Sequence, residues 1–233
     1  MKTNQISEEA FGNRIERMKG YLKTALENVD NLHVFISDGN RKTGIIPSVS
    51  LLPVIDCGNC KICSHTCYDL RHDIIYKEVL NTRAANSAIF RKDPDRFFRE
   101  IEAWLTLNYP RAFRWHIGGD IKDATYFRGM IKIAKKFPDI KFLAFTKMFN
   151  LVNAELTEGH YLPENLQILF SGWPGQSMLN PYGLPSSHPL YPDGTTSAHE
   201  GAKLCTGNCT ECLAEKQLCW YLKTNEEVVF PLH

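Results

Sequence analysis

The sequence predicts an α/β protein on a parallel sheet, either a partial (β/α) barrel or an open sheet. Three observations carry that expectation. Short apolar runs alternate with segments of helical period, and polar or glycine-rich residues stand just after each run. The runs are also too few to close an eight-unit barrel. Two cysteine-rich stretches are set into this pattern, one in a loop and one in the C-terminal segment.

Taken in order, Phe11, Ile15, Met18, Leu22 and Leu26 recur every three or four residues, which predicts one amphipathic helix over 8–29 with Ser7 as its N-cap. Residues 33–37 read as a short buried strand, closed by the turn Asp38-Gly39-Asn40. A second extended piece over 48–55 leads into the first cysteines. Residues 69–90 are helix-forming, and Pro94 suits the first turn of a helix running to about residue 108. Strands are then expected at 113–117, 141–145 and 166–170, with helices at 124–137 and 149–156 between them. The stretch 174–201, rich in Pro, Gly and Ser, reads as an ordered loop. No internal repeat is visible. The chain is expected to form a single domain, with an N-terminal helix in 1–30, an α/β core in 31–174, and a loop with the C-terminal cysteines in 175–233.

Bulk properties narrow the function classes. The 233 residues are 43% hydrophobic and 23% charged, enough for a real core without disulfides. A net charge of +1 gives no bulk electrostatic reason to bind nucleic acid or an anionic membrane. No apolar run approaches the roughly 20 residues a membrane span needs, and the polar N-terminus lacks the pattern of a secretory signal. The expected location is the cytoplasm. Thiols stay reduced there, so clustered cysteines point to metal ligation or catalysis.

The eight cysteines fall into two groups of four. Cys57, Cys60, Cys63 and Cys67 form a CxxCxxCxxxC run, the spacing of bacterial ferredoxins, with Tyr68 where that pattern has proline. Cys205, Cys209, Cys212 and Cys219 form CxxxCxxC and a more distant fourth. Two-residue gaps let a tight loop aim several sulfurs at one centre while backbone amides point at the sulfides. One or two 4Fe-4S clusters are the expected cofactors. Four-thiolate zinc is the alternative, because such sites use comparable spacings. In two-cluster ferredoxins the fourth cysteine of such a run serves the other cluster, so spacing leaves open which cysteines share a site.

Ligand sites of parallel α/β folds lie past the carboxyl ends of the strands. Asp120, Lys147 and Ser171 follow strands and are expected on one rim with the first cysteine group. Asp120 would hold a substrate amine, orient a ligand, or cap the next helix. Lys147 would contact an anion or be a solvated charge. His116 is a metal-proximal ligand, a proton carrier or a satisfied buried histidine, and Trp173 and Trp220 either shield a cluster or simply pack.

The chain resembles the family named after a phage protein, gene product 88. The resemblance is carried by Asn40-Arg41-Lys42-Thr43, by Cys63 through Cys67-Tyr68, and by Trp115-His116-Ile117-Gly118-Gly119-Asp120. Phe145-Thr146-Lys147, Ser171-Gly172-Trp173-Pro174 and Cys209, Cys212, Cys219-Trp220 continue it. More loosely, the arrangement is similar to radical S-adenosylmethionine (radical SAM) enzymes, which place a cysteine loop after the first strand and a Gly-Gly-Glu-type motif after the second. That likeness implies a cofactor site at Gly118, Gly119 and Asp120, with Lys147 near it. The early loop reads CxxCxxxC where those enzymes have CxxxCxxC.

The chain is therefore expected to be an iron–sulfur protein, either a redox or radical-SAM-like enzyme of unknown substrate or an electron carrier. Its partners would be a small-molecule substrate or an electron-transfer protein. The competing expectation is a zinc-stabilised module that binds a macromolecule. The low charge disfavours nucleic acid as that partner.

Overall fold

Alternation along the strands decides the architecture. In β3 (Ala112–Trp115) and β4 (Lys141–Thr146), Phe113, Trp115, Phe142 and Ala144 belong to one apolar cluster, while Ala112 and Leu143 belong to a second. Successive strand residues point to opposite faces, so both faces of this sheet are covered. The computed structural model describes residues 7–40, 43–58, 63, 67, 69–70 and 77–231.

The sheet has eight strands, completed by β1 (Ile36–Ser37), β2 (Ser48–Val49), β5 (Leu166–Ser171), β6 (Ser186–Leu190), β7 (Lys203–Leu204) and β8 (Glu227–Pro231). Their order is β1-β2-β3-β4-β5-β6-β8-β7, and every pair is parallel except β1 with β2. The fold is thus the expected α/β type with a mostly parallel sheet, in its open form.

Helices α1 (Glu8–Glu27), α2 (Lys77–Lys92), α3 (Pro94–Asn108), α4 (Ala124–Lys136) and α5 (Phe149–Thr157) contribute to the larger core. Local signals set their ends. Ser7 accepts from the Ala10 amide at α1, and Asp93 caps α3 one residue before Pro94. The cap of α4 is Asp123, which accepts from the Tyr126 amide, so the alternative that Asp120 caps this helix is corrected. Between helices and sheet, Phe90, Phe97, Phe98, Trp115 and Tyr126 meet edge to face or tilted at 4.9–6.2 Å.

Several expectations change. The extended pieces at 33–37, 48–55 and 113–117 shorten to Ile36–Ser37, Ser48–Val49 and Ala112–Trp115, and the loop expected over 174–201 contains β6. That strand carries Ser186, His188 and Pro189, none of which gives an apolar period. Pro189 is tolerated because Ser186 donates its amide to Glu226, so alternate amides, and the proline nitrogen with them, turn toward β5. β5 pairs with β6 only at Ser186 and Ser187, so no ladder bond is lost at Pro189. The other face of the sheet is covered by the C-terminal segment, including α6 (Cys209–Ala214) and the short 3₁₀ turn Leu218–Trp220.

Candidate metal centres on two sides of the sheet

The first cysteine group begins past the end of β2, on the carboxyl edge. Cys57, Cys63 and Cys67 are described, Cys57 and Cys67 as free thiols, and Cys60 lies outside the described residues. All three thiols act electrostatically on Lys147, which follows β4. Burial works against the charge of this ammonium, but Cys63, Asp120, Cys57 and Cys67 outweigh it and hold its pKa above the ordinary lysine value. The ammonium lies over the Trp173 ring, 5.6 Å from its centroid, just past β5. Burial pushes the Cys67 thiol up to about 12, and Asp69 adds to this, while the amides of Leu70 and Asp69 oppose it.

A polar clamp holds this edge. Asp120 is buried, and its Oδ1 accepts from Thr146 Oγ1 at 2.6 Å and from the Ile121 amide at 2.7 Å. Its Oδ2 accepts from the Lys147 amide at 2.9 Å. Asp120 therefore ties the end of β3 to the end of β4, and burial raises its pKa against those bonds. Gly118 and Gly119 have steric roles. A Cβ at Gly118 would run into Asp69 and the guanidinium of Arg83, and Gly119 adopts φ +81° against Leu51. The buried pair Arg83–Asp69, at 2.6 Å, stands two residues from Cys67.

His116 has φ 58°, a left-handed conformation uncommon outside glycine. It is buried, and among the described residues neither ring nitrogen has a hydrogen-bond partner. Burial, then the charge of Arg114, drives its pKa down to about 3, so the ring is neutral. It is not the satisfied histidine that one sequence alternative expected. Its ring lies 5.1 Å from that of Tyr126, whose hydroxyl also lacks a partner among the described residues.

The second group lies on the opposite face. Cys205 follows β7, Cys209 and Cys212 lie on α6, and Cys219 sits in the 3₁₀ turn; all four are free. They are electrostatic neighbours, since Cys205, Cys209 and Cys212 all act on Cys219. Burial pushes Cys209, Cys212 and Cys219 above the ordinary thiol value, most strongly at Cys219. The Gly207 amide donates to Cys205 Sγ at 3.4 Å, and Thr206 Oγ1 is 3.3 Å from Cys212 Sγ. Trp220 is buried here and donates its indole N–H to the Cys209 carbonyl at 3.1 Å. Thr210 Oγ1 donates to the Thr43 carbonyl at 3.1 Å, fastening α6 to the loop before β2.

Arg114 joins this group from β3. It lies between Phe113 and Trp115 in sequence but points to the other face, with its guanidinium 4.9 Å from the Phe145 centroid. Its charge acts on Cys209 and Cys219, lowering both thiols against the burial that raises them. The sequence reading missed Arg114, and also the pair Arg83–Asp69. The available signal for Arg114 was a charged residue inside an otherwise apolar strand, which requires a compensating partner on the facing layer.

The structure thus gathers Gly118, Asp120, Lys147, Trp173 and the first thiols on one edge, and leaves the second thiols apart. Ser171 ends β5 on the same edge. Among the described residues, no three thiols lie within 4.8 Å of one another; Glu155, Glu158 and His160 do. Arg128 already spans both of those carboxylates at 2.7–3.1 Å. No described helix is long and apolar enough to cross a membrane.

The family model described as Gene product 88 matches residues 19–176, which include the first cysteine group and the sheet through β5. No curated protein and no solved structure matches the chain.

Proposed function

This chain belongs to the gene product 88 family, and from its two thiol groups we propose that it is an iron–sulfur protein of a reducing compartment. Cys57, Cys60, Cys63 and Cys67 would hold one 4Fe-4S cluster, and Cys205, Cys209, Cys212 and Cys219 a second. The observation that carries this reading is the second group. Four neighbouring thiols lie in a largely apolar layer beside an arginine. Burial raises three of those thiols, so ligation there means exchanging their protons for metal charge.

Spacing supports iron–sulfur over zinc. The first group packs four cysteines into eleven residues with the spacing of bacterial ferredoxins, whereas zinc sites more often present paired CxxC knuckles farther apart. When bound, such clusters supply one-electron chemistry. The chain's own residues then have distinct tasks. The Gly207 amide donates to a ligand sulfur, and Trp220 limits water at the second group. Lys147 and Trp173 border the first group on the edge where α/β proteins bind substrates, so a small-molecule substrate is expected there. A narrower form of the reading has that edge bind S-adenosylmethionine. It is supported only by Gly118-Gly119-Asp120 after β3, and reductive cleavage of that cofactor is its test.

The main reading is tested by purifying the full chain without oxygen and measuring iron, zinc and acid-labile sulfide. Broad visible absorption with matching iron and sulfide is expected. Two zinc ions and no sulfide would replace this reading with a structural zinc protein.

A further inference from the structure

We infer that the guanidinium of Arg114 is the counter-charge that raises the reduction potential of the centre held by Cys205, Cys209, Cys212 and Cys219, a conclusion that rests on the iron–sulfur reading. A partly buried cation costs several kcal/mol unless an anion faces it. Among the described residues, no carboxylate pairs with Arg114. Its guanidinium lies 4.9 Å from the centroid of Phe145, which packs against the same cluster as Cys205, Cys209 and Cys219, and its charge acts on Cys209 and Cys219. Its Nε is sealed from solvent and has no hydrogen-bond partner among the described residues.

The position fixes the effect. β3 is an interior strand paired on both sides, so the Arg114 backbone cannot drift from the sheet. The stack on Phe145 limits the planar head group as well, which a lysine would not reproduce. Four thiolates around a 4Fe-4S core carry net negative charge, and reduction adds one more electron. A fixed positive charge favours the reduced state, and a hydrogen bond to a ligand sulfur acts in the same direction. The first centre has its own cation, Lys147. Arg114 therefore acts on one centre alone, as a positioning residue for charge.

Wild type, Arg114→Gln and Arg114→Lys are purified anaerobically, assayed for iron and sulfide, and titrated potentiometrically with electron paramagnetic resonance. In Arg114→Gln both centres should stay loaded, and the second should become harder to reduce. The reduced-to-oxidised ratio at fixed potential should fall roughly tenfold, equivalent to about 59 mV for one electron. Arg114→Lys should recover part of that loss, and the first centre should not move. Should Arg114→Gln fail to fold, Phe145→Leu frees the guanidinium and should shift the same centre in the same direction by less. Loaded centres with an unmoved potential in the foldable variants overturn the inference alone. A wild type without iron overturns the iron–sulfur reading first, and this one with it.

Discussion

The two cysteine groups occupy opposite sides of one sheet, and each is served by a different cation. The first stands on the carboxyl edge, beside Lys147 and Trp173, inside the stretch matched by the family. The second lies against the face of the sheet, beside Arg114, beyond that stretch. Lysine is a mobile point charge on a flexible stem, whereas arginine is a permanently charged plane. The edge therefore suits chemistry on a ligand that comes and goes. The face suits a fixed centre whose environment does not change.

The largest expected effect would come from removing a ligand on each side. Cys219→Ser should cost about half of the bound iron and leave the signal of the first centre, whereas Cys67→Ser should do the reverse. Loss of both signals from either change would show that the groups share ligands, and the comparison would then collapse.

Neighbouring residues on β4 separate the two faces. Phe142→Ala opens the helix-side core and should destabilise the fold by about 3–5 kcal/mol in chemical denaturation. Leu143→Ala, one residue along, removes support under the C-terminal segment and should cost about 2–5 kcal/mol. Only Leu143→Ala should also lower the iron retained by the second group. Equal iron loss from both would mean that the faces do not act separately.

Glycines give a finer contrast. Gly118→Ala would press on Asp69 and Arg83 next to Cys67, whereas Gly44→Ala would press on Thr210 beside Cys209 at a left-handed φ of 65°. Each should cost about 1–3 kcal/mol. The first should weaken only the edge centre and the second only the face centre, as followed by their separate spectroscopic signals.

The smallest effect concerns His116, which sits on β3's exit between the two regions. Its folded pKa of about 3 lies below the ordinary histidine value of 6.5. Between those values the unfolded chain binds a proton that the folded chain does not, so stability rises with pH across that window. Stability should fall by up to about 1.4 kcal/mol per pH unit on acidification below 6.5. His116→Asn, which tolerates the left-handed backbone, should flatten that slope in denaturation curves measured at several pH values. An unchanged slope would place the acid sensitivity elsewhere.

Helix periodicity, the cap Ser7, the Asp93-Pro94 start and the apolar runs of β3 to β5 were legible because each is a local pattern with a local cause. The edge site was legible for the same reason: polar residues directly after strands 113–117 and 141–145 must meet at the rim of a parallel sheet. Strand β6 was not legible. Ser186, His188 and Pro189 form a strand only because β5 and β8 flank them and the proline nitrogen needs no partner. The role of Asp120 was half legible, since its place on the rim followed from order but its clamp on Thr146 and Lys147 needed two strand ends side by side.

The amino-acid sequence by itself determined the thiols, their spacing, the fold class and the edge on which the first group lies, because these follow from residue type and short-range period. Only the tertiary structure decided that the second group covers the opposite face and that Arg114 is its cation. Residues 114 and 209 are brought together by a strand and a helix far apart in the chain. No local pattern records such a meeting, because the burial that enforces it exists only once both faces of the sheet are covered.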